Sequence, residues 1–206
     1  LRDLPFKINE LESPKHHYTV ANVIRHPVSL VWSGYGELKN LFRYDLNELN
    51  CSLSKVLNET NWEFLYYISD KYDIYLGDIE NLAFICASCI MGSLKKDIDA
   101  IKDIEKLNNI TFNGHHKMEF ITKSIESYSN FLRSIIGDTN MYNNFVESVF
   151  DYGPINEHNN KTYDKHDASA RYALYNDWQK EVFRYYLYQY DIRHFYEKEG
   201  YDFSFI

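Results

Sequence analysis

Between Arg171 and Tyr196 the chain reads RYALYNDWQKEVFRYYLYQYDIRHFY and sets ten aromatic side chains into one short stretch. Written as a helix, that stretch spans about seven turns. Aromatic side chains bury large areas and keep a polar handle, so this density must serve a core, a contact surface or both. On a continuous helix Leu174, Trp178, Tyr185, Tyr188, Ile192 and Phe195 fall along one side. Tyr172, Tyr175, Val182, Tyr186 and Tyr190 fall along another. Two stripes exceed what one core contact needs, so the pattern predicts one stripe against the domain and one against a partner. The candidate interaction residues are Tyr172, Tyr175, Trp178, Tyr185, Tyr186, Tyr188 and Tyr190. The run FRYYLYQY also has β propensity, but the polar spacing from Ala168 to Glu181 favours helix. The tail from Tyr201 to Ile206 is apolar and charge-poor, and is expected to dock on its own domain or on a neighbour.

A chain of 206 residues fits one domain, and 45% hydrophobic with 25% charged residues is ordinary for one that buries a core. Eight Gly and four Pro are too few for a loop-rich sandwich or for disorder. The net charge of −8 argues against nucleic acid as a partner, because phosphate binding needs clustered cations. Arg171, Lys180, Arg184 and Arg193 do interleave with aromatics, as on a stacking surface. Asp177, Glu181, Asp191, Glu197 and Glu199 cancel that charge within the same segment.

Three cysteines, Cys51, Cys86 and Cys89, leave no complete disulfide framework within one chain. No basic-then-apolar leader is visible, and the apolar run from Leu82 to Leu94 falls short of the ~20 residues that span a bilayer. The expected location is the cytoplasm or a virion, without membrane attachment. The abundance of Asn, Tyr, Ile and Lys follows A+T-rich codons, an association that suits a phage or mobile-element protein.

Along the chain, residues 1–15 read as an irregular arm and 16–206 as a single helical domain. His16 to Trp32 is β-branched and broken by Pro27, giving two short strands or a kinked helix. Ser33-Gly34-Tyr35-Gly36 reads as a turn. Leu38, Leu41, Phe42, Leu46 and Leu49 then recur at helical spacing. Ser52 or Ser54 is placed to cap a short helix through Leu57. Asn58 or Thr60 is placed to cap a helix carrying Trp62, Leu65, Tyr66, Ile68 and Tyr72. Asp78 is the expected N-cap of a central buried helix from Ile79 to Lys96, with Ile98, Ile101, Ile104 and Leu107 continuing its pattern. Asn108 to Gly114 reads as a loop, and His116 to Ile136 as an amphipathic helix stopped by Gly137. Its inward face is Phe120, Ile121, Ile125, Tyr128, Phe131, Leu132 and Ile135. Asp138 or Thr139 opens a further helix through Phe150. Tyr152 to Tyr163 is a loop, and the aromatic segment is one helix from about His166 to Gly200. The fold class is mainly α: a single-domain helical bundle of about seven helices, with room for short strands near the N-terminus.

Chemical motifs are sparse. Cys86-Ala-Ser-Cys89 has CxxC spacing, but both thiols lie inside an apolar helical run without a second ligand pair, which points to core packing. His16-His17 and His26-Pro27 lack the spacing of a zinc-protease helix, and no phosphate-cradling glycine loop or nucleophile elbow occurs. The adjacent pair His166-Asp167 resembles that of the HD family of metal-dependent phosphohydrolases. The resemblance implies a divalent metal held with an upstream histidine, His115 or His116, and a downstream Asp177 or Asp191, activating water for attack on a phosphoester. The plainer reading makes Asp167 the N-cap of the aromatic helix. Weighed together, the sequence predicts a non-enzymatic protein-interaction or assembly component without a cofactor, acting on a protein partner or on itself. The alternatives are an HD-like phosphohydrolase or nuclease at His115, His116, His166 and Asp167, and an acidic inhibitor protein.

Overall fold

The computed structural model describes residues 17–44, 54, 58, 61–121, 125–136 and 167–206. The fold is mainly helical, with two short strands. The described chain falls into two compact units. One takes residues 17–25, 99–121 and 125–136, and the other takes 26–44, 61–98 and 167–206, with 54 and 58. The arm, the segment from Thr139 to Phe150, the loop from Tyr152 to Tyr163 and the stop at Gly137 lie outside the described residues.

In the first unit, β1 (Tyr18–Ile24) pairs in parallel with β2 (Ile110–Lys117). Tyr18 stands opposite Ile110 and Val20 opposite Phe112. The register then shifts, so that Asn22 meets His115. β2 thus carries one residue more than β1 across this interval, and Gly114 absorbs the surplus at φ 83°. That conformation suits glycine, as at a bulge. Asn113 beside it donates through Nδ2 to the Ser134 carbonyl and hydroxyl at 2.8 and 3.0 Å. The predicted loop from Asn108 to Gly114 is therefore mostly strand, and His116 is a strand residue. Within the helix expected from His116 the described residues form α5 (Met118–Ile121) and α6 (Ile125–Ile136), and α6 packs on both strands. Of the predicted inward face, Ile121 and Leu132 are buried, whereas Phe120 is exposed with Lys117 over its ring.

In the second unit, α1 (Pro27–Leu41) follows the first strand. Pro27 occupies N1, where its missing N–H costs nothing, so the residue read as a breaker starts the helix. Ser33 to Gly36 lie inside α1 and do not turn. Gly34 faces the Ala87 methyl, and a Cβ there would sit 3.6 Å from it, so α1 lies close along α3 (Ile79–Ser88). α2 (Trp62–Tyr72) is capped by Asn61 rather than by Asn58 or Thr60, and Asp73 at φ 49° ends it in the left-handed region. Asp78 caps α3 as expected. The predicted single central helix breaks at Cys89, after which α4 (Ile90–Ile104) carries residues of both units. Ile98, Ile101 and Ile104 are buried along it.

The aromatic segment is three helices, α7 (Ala168–Ala173), α8 (Asp177–Gln189) and α9 (Arg193–Lys198). Asn176 and Gln179 form a reciprocal capping box that restarts the chain at α8, and Asp191 at φ 49° separates α8 from α9. These two breaks explain why two stripes drawn on one continuous helix do not survive: the rotational phase is not carried across them. The core gathers around Phe84, whose ring lies 5.1 to 5.6 Å from those of Tyr175, Trp178 and Tyr35. Tyr175 also donates its hydroxyl to the Val28 carbonyl at 3.0 Å, and burial pushes its phenol well above the ordinary value.

Candidate functional site

Most of the predicted interaction residues belong to that core. Tyr172, Tyr175, Trp178 and Tyr186 are buried, Tyr185 and Tyr190 are half-buried, and Tyr188 is exposed. α8 explains this, because it packs against both α3 and α2. Its Trp178, Val182 and Tyr186 line one side and Phe183 and Leu187 the next, a single broad apolar face with two neighbours. Tyr185 is covered from the side of α2, its ring stacked on Phe64 at 3.8 Å.

The metal-binding alternative draws on residues with other partners. Asp167 caps α7, accepting from the Ala170 N–H at 2.9 Å. His115 accepts at Nδ1 from the Asn22 amide at 3.1 Å, and His116 Nε2 lies 2.8 Å from the Asn113 carbonyl. His166 is outside the described residues. Among the described residues no group of three His, Cys, Asp or Glu side chains is placed to hold a metal ion. Cys89 is buried and Cys86 half-buried, on or at the end of α3, where they pack as small hydrophobic groups.

The exposed aromatics lie elsewhere. α2 buries Leu65 and Ile68 and turns Tyr66 and Tyr67 outward at 65% and 50% exposure. The cause is periodicity. With Leu65, Ile68 and Tyr72 defining the inner side at i, i+3 and i+7, positions 66 and 67 rotate away from it by one and two steps of ~100°. The sequence grouped Tyr66 with Trp62, Leu65, Ile68 and Tyr72 on this helix without assigning it a face. The signal that separates it was the adjacency of Tyr66 and Tyr67 beside a complete inner face.

This outer face is held in place rather than loose. Tyr66 touches Trp62, ring centroids 6.2 Å apart. Lys71 lies over the rings of Tyr67 and Tyr72 at 5.2 and 5.0 Å. The Lys71 ammonium is in turn bonded to Glu181 of α8 at 2.8 Å, and Tyr72 donates its hydroxyl to the same carboxylate oxygen. Partial burial alone would push the Glu181 carboxyl up, but the hydrogen bonds from Lys71 and Tyr72 outweigh it and hold the group below its ordinary value. The same contact with Glu181 raises the Lys71 ammonium and the Tyr72 phenol.

An open cleft of about 660 Å³ lies at the start of α3 between Arg43, Tyr75 and Asn81. Its charges are spent internally: Glu80 takes both Lys39 at 2.8 Å and Arg43 at 3.2 Å, and Asp78 accepts from the Glu80 N–H. It offers an exposed Tyr75 ring but no converging set of polar groups. No described helix is long and apolar enough to cross a membrane. Compared with protein-family models, with curated proteins and with solved structures, the chain matches none.

Proposed function

We propose that this protein works by protein contact, as an assembly component or binding partner, and that the outer face of α2 carries that contact. The observation behind the reading is the pair Tyr66 and Tyr67, large, exposed and ordered on one helix. Tyrosine gives wide contact area for few rotatable bonds, and a ring already held by a neighbour loses less freedom on binding. Lys71 supplies that hold for Tyr67, and Glu181 supplies it for Lys71. Tyr188, the exposed member of the C-terminal set, belongs to the same reading as a secondary contact, with Arg193 donating to its hydroxyl at 2.9 Å.

The test compares the protein with a Tyr66→Ser/Tyr67→Ser variant by light scattering at tens of micromolar and by capture of partners from a lysate of the source cells. Self-association or a stable partner that the double variant loses, with its circular dichroism unchanged, is the expected result. A strict monomer that captures nothing would sink the reading. Bound manganese or zinc together with nucleotide hydrolysis, lost in His166→Ala, would replace it with the metal-dependent alternative.

A further inference from the structure

His26 is the one buried histidine among the described residues, 3% exposed, and each ring nitrogen has a separate partner. It is the N-cap of α1. Because Pro27 has no N–H, the first backbone donor of the helix is Val28, and His26 Nδ1 accepts from it at 3.1 Å. Nε2 lies 3.1 Å from the carbonyl of Asp202, which only accepts, so Nε2 carries the proton. The two contacts define one neutral tautomer. The ring is stacked on Phe203 at 4.7 Å, meets Tyr201 edge-on at 5.4 Å and approaches Phe205 at 5.7 Å. Four successive features of residues 201–206 thus converge on one imidazole.

We propose that His26 is a pH-sensitive latch for the C-terminal segment 201–206: the neutral ring holds the segment against α1, and the imidazolium releases it. A second proton can enter only at Nδ1. It turns the acceptor of the Val28 N–H into a donor, so the cap bond is lost and two N–H groups face each other. The charge also arises at the positive end of a helix, with no acidic residue in its first turn. The described neighbours enter this balance. Arg25 precedes His26 in the chain, and Arg193 of α9 lies over the Phe203 ring at 5.8 Å. Both oppose a new cation, Arg193 the less because it is paired with Glu197 at 2.7 Å. Tyr196 of α9 touches Tyr201, and Tyr172 of α7 touches Phe205; as phenols both stay neutral through the relevant range. Among the described residues the Phe203 ring face and the Asp202 carboxylate favour the cation. The carboxylate already accepts from the Ser204 N–H at 2.8 Å and from its hydroxyl at 3.0 Å, and it stands in solvent. Release of the segment restores water to both nitrogens and uncovers Tyr172, Tyr196 and the apolar rings of the segment itself.

The experiment is amide hydrogen exchange, corrected for intrinsic rate, between pH 8 and pH 5 on the full chain. Protection of residues 201–206 is expected to fall at least tenfold as pH drops through about 6.5, the ordinary imidazole value, while the amides of α3 and α8 keep theirs. His26→Gln retains one acceptor and one donor without titrating, so its segment is expected to stay protected across the range. Loss of protection in the segment only together with α3 and α8 would overturn the proposal, as would the same midpoint in His26→Gln. If the glutamine fails to dock the segment even at pH 8, the imidazole nitrogen shifts of the unmodified protein decide. Titration coincident with release supports the latch, and an imidazolium with the segment still docked refutes it.

Discussion

Helices α2 and α8 each carry two adjacent tyrosines, Tyr66-Tyr67 and Tyr185-Tyr186, and the two pairs end in opposite places. Tyr186 is fully buried and Tyr185 is stacked on Phe64, whereas Tyr66 and Tyr67 face outward. Composition alone does not separate them. The difference is the number of faces that neighbouring helices cover. α8 lies against both α3 and α2 and spends most of its circumference on them. α2 buries Leu65 and Ile68 on one side and leaves the opposite side open. An aromatic-dense helix is thus evidence of a core, and a surface is better sought on a helix whose inner face is complete without its adjacent tyrosine pair.

The sharpest break of this comparison is truncation of each pair. Tyr186→Ala removes a ring from a site with no solvent exposure and is expected to cost about 3–5 kcal/mol, the range for large aromatic deletions in cores. Denaturant unfolding followed by tryptophan fluorescence measures it. A loss under about 1 kcal/mol, on the scale of a surface change, would mean that α8 is not the buried element and would invert the assignment.

The caps sharpen the same comparison at smaller scale. Asn61 starts α2 by accepting from Glu63 and Phe64 N–H groups, and Asn176 starts α8 by accepting from that of Gln179. Asn61→Ala and Asn176→Ala are each expected to cost about 1 kcal/mol in chemical denaturation. Equal losses would show that the helix ends are alike and that packing alone distinguishes the two tyrosine pairs. A much larger loss at Asn176 would show that its capping box also fixes the break from α7.

The caps and the breaks also show where the sequence was informative. Asp78 and Asp167 were legible as N-caps because a carboxylate before an apolar run has one simple use. The mainly helical class and the buried character of Leu82 to Leu94 followed from periodicity, whereas the strand from Tyr18 was one of two readings that β-branching and Pro27 left open. β2 was not legible. Its partner β1 precedes it by some ninety positions, and its own residues, Asn113, Gly114 and paired histidines, have turn-like or neutral propensities. Ser33 to Gly36 misled for the converse reason: two glycines with turn preference are held helical by the packing of α1 on α3. The two-stripe surface failed at the unmarked breaks of Leu174 to Asn176 and Tyr190 to Ile192. Aspartate at a left-handed position, as at Asp191, is uncommon enough that no sequence rule would have placed it.

The contact that joins the two helices, Lys71 and Tyr72 on Glu181, gives a pH-dependent way to test whether α2 is held by α8. The folded Glu181 carboxyl is below its ordinary value, so the folded state binds its proton less readily than the unfolded chain. Its contribution is therefore present above the unfolded value of about 4.3 and is lost as pH falls through the lower folded value. Glu181→Gln should reduce stability at pH 7 and reduce it less at pH 3, so the two unfolding midpoints converge in acid. Parallel midpoints across that range would show that Glu181 contributes nothing to the junction.

The smallest effect on stability is expected at the residues proposed to matter most for contact. Tyr67→Ala loses the cation–π contact with Lys71, worth about 0.5 kcal/mol at an exposed site. It gains a similar amount of helix propensity, since alanine exceeds tyrosine by roughly 0.5 kcal/mol in an exposed helix. Tyr66→Ala loses its tilted ring contact with Trp62 and makes the same gain. The double variant should therefore unfold within about 0.5 kcal/mol of the unmodified protein, an order of magnitude less than Tyr186→Ala. That near-neutrality makes the pair informative. A defect in association at unchanged stability can arise only from the surface, whereas a stability loss of several kcal/mol would place Tyr66 and Tyr67 in a covered site and close the gap between the two helices.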